Sequence, residues 1–421
     1  MFRIPAILFS LLLLAVQVQA QRTIKGKIVS SATGEVIAGA SVFISNSSMG
    51  TVSDRQGNFE LSGIPDGQYE LIISFIGYET NVFAFNAQKL PLQLRVEMDI
   101  KVRELENVTV EPSVEEGWDK WGRTFTDYFV GRTPAAAKCK IKNEKAIRFR
   151  YYKKSNRVVA YCDEPVILEN RELGYTVRFQ LEDFEVNFKE GSSRYSGYPF
   201  FEEIDKKRKG LQNRWQRARD KAYYGSVMHF LRSLWKDSLA QNGFEVRRMM
   251  RNPNLEKERV KKIYKPSTIF LGKEKQQTVT ITTGAGDKSK GTADSVYTDS
   301  AEYYRQVMRQ KDYIETYGRE LLTADSVFYG EENGYKVLLF SQYLHITYKN
   351  EVEDEQYLAQ HMERRQPAFQ QSYIWLIEEQ PVAVYPNGSY YPPNVLFTMA
   401  YWSWDEKMAN CLPIDYEPSG K

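Results

Sequence analysis

Histidine and cysteine are both scarce in this chain of 421 residues, with three of each. Cys139, Cys162 and Cys411 form no Cys-x-x-Cys pair, which argues against a thiolate zinc site. His229, His345 and His361 lie far apart and no His-x-x-Glu occurs, which argues against a zinc hydrolase centre. Neither a Gly-x-Ser-x-Gly elbow nor a Gly-rich phosphate loop ending in Gly-Lys-Ser/Thr is present. A formal charge of +3, from 57 basic and 54 acidic side chains, is too balanced for a nucleic-acid partner. Beyond the first twenty residues no apolar run is long enough to cross a bilayer, which takes about 20 residues. No cofactor is expected.

What is present begins with an export signal. Arg3 gives a positive start, Ile4–Val16 is nearly unbroken apolar sequence, and Val18-Gln19-Ala20 is a small-residue cleavage site. Residues 1–20 are therefore expected to be a signal peptide, with Gln21 as the mature N-terminus. The expected destination is the periplasm or the outer membrane. An oxidising compartment permits a disulfide, so Cys139 and Cys162 are either bonded or remain buried free thiols.

From Thr23 onward, short β-branched and aromatic runs (Thr23–Val29, Ala40–Ile44, Asn58–Leu61, Tyr69–Phe75, Leu92–Met98) alternate with turn clusters such as Asp54-Arg55-Gln56-Gly57 and Pro65-Asp66-Gly67. Strands of that length and spacing predict an all-β sandwich, with Phe59 and Tyr69 between its sheets. Asp54 beside Gly57 reads as a β-turn, because one carboxylate is far short of a calcium shell. The sandwich is placed at 21–107, a linker at 108–117 around Glu111-Pro112-Ser113, and a second unit at 118–421.

The second unit opens with strands. Ala146–Tyr152 and Arg157–Asp163 predict a hairpin around Lys153–Asn156 that sets Cys162 opposite about Ile147. Along Tyr175–Phe188 the apolar phase slips at Glu182-Asp183, which predicts a bulge. A helical block follows from about Glu202 to Asn242, with Tyr223, Val227, Phe230, Leu231 and Leu234 on one stripe and His229 opposite it, toward solvent. Further on, Thr268–Ile281 reads as strand, 284–294 as loop, Ser300–Gln310 as a capped helix and Val337–Tyr348 as one long strand. Ser372–Glu378 and Val382–Tyr385 read as paired strands, with a turn at Asn387-Gly388. These blocks predict an α+β domain with mostly antiparallel sheet.

Candidate binding residues fall into two groups. Lys206 to Lys209, Arg214, Arg217, Arg219 and Lys221, interleaved with Trp215, Tyr223 and Tyr224, would suit anionic headgroups or acidic glycans, or form a solvated helix face. Arg247, Arg248, Arg251, Arg259, Lys261 and Lys262 make a second basic set. Tyr390, Tyr391, Trp402 and Trp404 would offer an aromatic platform to sugar rings, although packing within sheets is the commoner use of such residues. Carboxylate pairs drawn from Asp163, Glu164, Asp183 and Glu185 would be needed for the alternative, a hydrolase of envelope polymers.

The segments Gly26-Lys27-Ile28-Val29, Thr33-Gly34-Glu35, Ala38-Gly39-Ala40-Ser41-Val42, Thr51-Val52-Ser53-Asp54, Gly57-Asn58-Phe59 and Gly77-Tyr78-Glu79 resemble the carboxypeptidase-regulatory-like domain common in Bacteroidetes envelope proteins. The resemblance implies a transthyretin-like sandwich that mediates contact or spacing, and it covers about 21–99. In that family the domain accompanies TonB-dependent transporters, and Leu105–Val110 is similar to the segment leading into a transporter plug. The chain is expected to depart from those transporters, with neither a plug nor room for a 22-stranded barrel. Arg219–Phe230 resembles the C-terminal region of standalone Bacteroidetes proteins, which implies no known activity. The expectation is a non-enzymatic exported protein whose second unit binds an envelope protein or glycan.

Overall fold

Alternating β-branched and polar residues start the fold in the computed structural model, which describes residues 22–101, 111–205, 209–263, 294–332 and 334–420. The expected signal peptide and the strand expected at Thr268–Ile281 lie outside the described residues. Strands β1 (Thr23–Ser30), β2 (Ser41–Ile44), β3 (Gly50–Val52), β4 (Asn58–Ser62), β5 (Gln68–Ser74), β6 (Asn81–Asn86) and β7 (Leu92–Met98) sort into two sheets, ordered β4-β1-β7 and β3-β2-β5-β6. Ile24 and Ile28 from one sheet meet Val42, Ile44, Leu71 and Ile73 from the other, with Phe59 and Tyr69 buried between them. This is the expected sandwich. The Asp54 turn is also as expected: its carboxylate accepts from the Gln56 and Asn58 amides at 2.9 and 2.8 Å. Gly57 closes that turn at φ +75, where an added Cβ would meet the Ile28 carbonyl at 2.6 Å.

A third sheet gathers β8 (Ser113–Glu116), β9 (Cys139–Ile141), β10 (Ile147–Tyr152), β11 (Arg157–Cys162), β12 (Val166–Asn170), β13 (Tyr175–Asn187) and β14 (Ser192–Glu203), in the order β8-β10-β11-β13-β12-β9 with β14 also on β13. Helix α1 (Trp118–Phe129) packs Phe125 and Phe129 onto it. The hairpin register Ile147↔Cys162 and the irregularity between Leu181 and Asp183 match the sequence reading. The stretch expected as linker ends differently, because β8 pairs with β10. Its polar residues disguised it: Glu115 accepts from Tyr161, and Glu116 from Lys120 and Trp121.

All three cysteines are free. From β11 to β9 the sheet order crosses three strand spacings, about 14 Å, whereas a disulfide needs Cα atoms within about 7 Å.

The helical block is two helices, α2 (Lys209–Tyr223) and α3 (Val227–Trp235). Gly225 breaks it at φ +86, and the Ser226 hydroxyl caps the restart by accepting from the His229 amide at 3.0 Å. The stripe reading misplaced His229 because α3 is buried all round, from His229 through Leu234. His229 is buried, its Nδ1 accepts from the Gly225 amide at 3.1 Å, and its ring lies against Phe244 at 4.9 Å.

The remaining elements are β15 (Phe244–Pro253), α4 (Leu255–Ile263), α5 (Asp294–Arg309), β16 (Tyr313–Tyr317), β17 (Phe328–Glu332), β18 (Tyr335–Leu338), β19 (Tyr343–Val352), α6 (Glu355–Gln360), β20 (Phe369–Leu376), β21 (Val382–Val384), β22 (Tyr390–Tyr391), β23 (Leu396–Ala400) and α7 (Tyr401–Asp405). They build a five-stranded sheet, β16-β15-β19-β20-β23, and a four-stranded one, β17-β18-β21-β22. Two expectations fail here. The long strand expected at Val337–Tyr348 divides into β18 and β19, one in each sheet, with Gln342 at φ +62 turning the chain between them. Likewise β20 and β21 do not pair, because Glu378 and Glu379, at φ +50 and +52, carry the chain from one sheet to the other. The helix expected from Ser300 begins earlier, at Asp294.

The C-terminal segment fastens the sandwich to the rest. Ile414 fills the sandwich core and its amide donates to the Asn46 carbonyl at 2.7 Å. Asp415 accepts from the Ser48 amide at 2.9 Å. Buried Arg232 of α3 holds this segment, donating to the carbonyls of Ile414, Tyr416 and Asn387 at 2.9, 2.9 and 2.7 Å. Asn387 in turn donates to the Tyr69 hydroxyl of the sandwich at 3.1 Å.

Two outcomes check this description. Arg232→Met leaves three buried carbonyls without a donor and should lower unfolding free energy by about 3 kcal/mol. Urea denaturation reads the loss, and a change within experimental error contradicts the role given to Arg232. Alkylation of the unfolded chain without reductant should modify all three cysteines. An unmodified pair would show a disulfide.

Candidate binding surface

The residues singled out from the sequence are largely structural. Lys206 lies outside the described residues. Trp215 is buried and its indole donates to the Arg171 carbonyl at 3.1 Å, where Arg214 donates as well. Arg219 is buried too, bound to the Leu173 carbonyl at 2.7 Å and to Glu203 at 2.6 Å. Tyr223 is buried beside Arg232, and Tyr224 packs edge-on to His229 at 5.3 Å. Trp215 and Arg219 brace α2 against the β12–β13 turn, and of the three rings Trp215 and Tyr223 are buried while Tyr224 is half-buried.

The platform expected at Tyr390, Tyr391, Trp402 and Trp404 does not assemble at the surface. Trp402 and Trp404 are buried, donating to the Gly225 carbonyl at 2.7 Å and to Gln360 at 2.9 Å. Tyr390 is partly buried on β22, and Tyr391 alone of the four is exposed. Among the second basic set, Arg259 pairs with Glu256 and Lys261 with Asp312. Arg247 and Arg248 donate to the carbonyls of Arg319 and Ser326.

An aromatic surface does exist, on the outer face of the five-stranded sheet. The inner face carries Phe244, Val246, Leu344, Ile346, Ile374, Leu376 and Leu396 into a core shared with α3. Register fixes the residues opposite. Met249 faces Tyr317 and Tyr343, Arg247 faces His345, His345 faces Tyr373, and Trp375 faces Phe397. Ring centroids follow suit: Tyr343–Trp375 5.9 Å, Trp375–Phe397 5.3 Å, Tyr317–His345 5.0 Å and His345–Tyr373 5.2 Å. The solvent face of an antiparallel sheet is ordinarily polar. Here Phe397 and Tyr317 are exposed, and Tyr343, Tyr373 and Trp375 are partly so.

Polar groups are set among these rings. Arg251 donates to Glu315 at 2.7 Å, and its guanidinium lies 5.3 Å from the Tyr343 ring centre. Burial works against ionisation of Glu315, but Arg251 and Lys311 outweigh it and hold the carboxyl below its ordinary range. His345 is 8% exposed and burial lowers its pKa, keeping it neutral; its Nε2 meets the Gln371 oxygen at 3.3 Å. Among the described residues, two buried atoms on this face have no partner: His345 Nδ1 and Arg251 Nε. Unsatisfied buried polar atoms are uncommon and mark where water or a ligand belongs. The strands forming the face are far apart in sequence, and no local motif announced it. The available signal was alternation of Tyr343, His345 and Thr347 against Gln371, Tyr373 and Trp375.

The carboxylates weighed for hydrolysis are occupied. Asp163 pairs with Arg148, Glu164 accepts from Asn143 at 2.8 Å, and Arg194 bridges Asp183 and Glu185. A cleft of about 410 Å³ lined by Lys221, Lys349, Asn350, Glu351, Val352 and Phe369 contains one carboxylate. Among the described residues, no group of three or more His, Cys, Asp or Glu could hold a metal ion.

Burial pushes Asp405 up to about 6 and Glu406 up to about 8. Their partners diverge, Asn410 at 2.6 Å for Asp405 and the Val227 amide at 2.9 Å for Glu406. Glu406 thus ties the end of α7 to the start of α3, while Asp405 fixes the turn that follows α7. The folded state binds the Glu406 proton more tightly than the unfolded chain does. Its contribution is thus full below about 4.5 and lost as pH rises through about 8. Thermal stability should decline across that window, and Glu406→Gln should flatten the decline by on the order of 2 kcal/mol. Parallel pH profiles for the two proteins would contradict the assignment.

Comparison with known proteins bears on the sandwich. Residues 24–110 match the family model of the CarboxypepD_reg-like domain. The TonB-dependent receptor SusC of Bacteroides thetaiotaomicron is 34% identical over 102 residues, 24% of this chain and only 9% of the receptor. Among solved structures, a type II cohesin–X-dockerin complex of Acetivibrio cellulolyticus is 20% identical, covering 27% of this chain and 78% of that one at a TM-score of 0.17. A protein of unknown function from Bacteroides fragilis is 8% identical, covering 90% and 94% at a TM-score of 0.15. Scores this low carry no structural or functional weight. Residues 24–110 are a CarboxypepD_reg-like domain, a non-catalytic module that this chain shares with a Bacteroides receptor.

Proposed function

We propose that the chain is a non-enzymatic protein of the bacterial cell envelope, whose second unit binds an envelope partner across the outer face of the five-stranded sheet. The observation that carries this reading is the face itself: one side of the sheet is buried on α3, while the other presents Tyr317, Tyr343, Tyr373, Trp375 and Phe397, and two buried polar atoms set among them have no partner among the described residues. Large rings with polar tips suit recognition surfaces. The sandwich, held by Ile414 and Asp415, would serve as the spacing and contact module. The basic N-terminal residue, apolar run and small-residue site of residues 1–20 support export, and no helix among the described residues is long and apolar enough to cross a membrane.

The hydrolase alternative requires convergent carboxylates in a concavity. The cleft offers Glu351 alone, and of the acids that burial raises in pKa (Glu70, Glu182, Asp405 and Glu406) none lines it.

The immobilised full chain should retain a component of a solubilised envelope fraction that Tyr343→Ala/Trp375→Ala loses while its melting temperature stays close to that of the parent. Equal retention by both proteins would refute the surface. Release of reducing ends or peptides from envelope polymer would refute the non-enzymatic reading.

A further inference from the structure

We infer that the N-terminal sandwich takes an extended segment of a partner protein as an added strand along its β6 edge, with an apolar side chain of that segment in the cleft between β6 and β7. This contact is separate from the one proposed on the five-stranded sheet and does not rest on it.

Strand order leaves β6 and β7 as edges of the two sandwich sheets. The chain ahead of β6 and the chain after β7 are paired: the Glu79 amide donates to the Asp99 carbonyl at 2.8 Å, and the Lys101 amide to the Gly77 carbonyl at 2.9 Å. Then the strands part. The last link is the Asn81 side-chain amide on the Glu97 carbonyl at 3.5 Å. Between the two edges lies a cleft of about 230 Å³, lined by Gln68, Phe83, Phe85, Asn86, Lys89 and Leu92. Core-facing residues are left uncovered along this flank. Phe83 lies opposite fully buried Leu71 yet is 39% exposed, and Leu92, Leu94 and Val96, in register with Ile24, Gly26 and Ile28, are only partly buried. The other two edge strands, β3 and β4, are joined directly by the Asp54 turn.

Backbone direction identifies the occupant. The Ser45 amide donates to the Glu70 carbonyl and the Ala87 amide to the Gly67 carbonyl, both at 2.9 Å, so alternate residues of β5 serve β2 and β6 in turn. In β6, Phe83 and Phe85 therefore bond to β5, while Val82 and Ala84 turn their N–H and C=O groups away from the sheet. Among the described residues, none bonds to these groups. Only a polypeptide repeats a donor and an acceptor at every second residue, so a lipid tail or a glycan could enter the cleft but could not match the edge. The β6 sequence Asn-Val-Phe-Ala-Phe-Asn has neither charge nor proline, the usual devices that keep an edge from pairing. Lys89 stands at the cleft with no carboxylate partner among the described residues, so an acidic residue beside the apolar one suits the segment.

A phage-displayed library of random linear peptides, panned on the immobilised full chain, tests the inference. Enriched peptides should alternate apolar residues beside an acidic one, and fluorescence anisotropy of synthetic copies should show binding that depends on their backbone amides. Methylating the peptide nitrogens one at a time should weaken binding on the order of tenfold at alternate positions and leave the positions between unchanged. Ala84→Pro removes one outward N–H and no bond to β5, and should weaken binding to a similar degree. Lys89→Glu, at an exposed site, should do the same and keeps the test valid if Ala84→Pro fails to fold. Tyr343→Ala/Trp375→Ala should bind as the parent does, so failure of the sheet surface and failure of this edge are read separately. No enrichment, insensitivity to N-methylation, or equal binding by the parent and the edge variants overturns the inference. A dimer of the full chain that Ala84→Pro dissociates would give the edge to a second copy and overturn it as well.

Discussion

The buried guanidinium of Arg232 is the constraint on which the rest of the architecture depends. It gathers carbonyls from the Asn387 turn and from the C-terminal segment at Ile414 and Tyr416. A charge in such a place is tolerated only when its donors are occupied. Those carbonyls lie on segments that reach the sandwich, directly through Ile414 and through Asn387 on Tyr69. The N-terminal domain is thereby seated on the second unit, and its position is set by a residue of α3.

The same helix supports the candidate surface from behind. Phe230, Leu231 and Leu234 of α3 form the core under the five-stranded sheet, and Trp402 closes that core by donating to the Gly225 carbonyl. Burying one face against a rigid helix leaves the other as a stiff platform. Rings carried on paired strands keep their spacing without a ligand, so less ordering is required on binding. The break at Gly225 has two consequences: it sends α3 into the interior and draws His229 with it.

Local features were legible in the sequence and non-local ones were not. The Ile147–Cys162 hairpin, the Leu181–Asp183 bulge and the Asp54 turn depend on neighbours within a few residues, and side-chain alternation states them directly. The sandwich was legible because turn residues punctuate it at short intervals. Helix-stripe reasoning failed at His229 because α3 runs through the interior and is buried on every side, polar face included. Aromatic residues close in sequence, Trp402, Trp404 and Tyr223, suggested a surface but supply packing. The rings that share the sheet face come from β16, β19, β20 and β23, and their meeting depends on strand order. Ile414, which no sequence pattern singled out, completes the sandwich core.

Hydroxyl-radical footprinting of the full chain, free and mixed with solubilised envelope material, tests the central claim most directly because it reads side-chain exposure residue by residue. The account predicts that Tyr317, Trp375 and Phe397 are oxidised in the free chain and protected in the mixture. Unchanged oxidation at these rings, with protection confined to the sandwich, would contradict it.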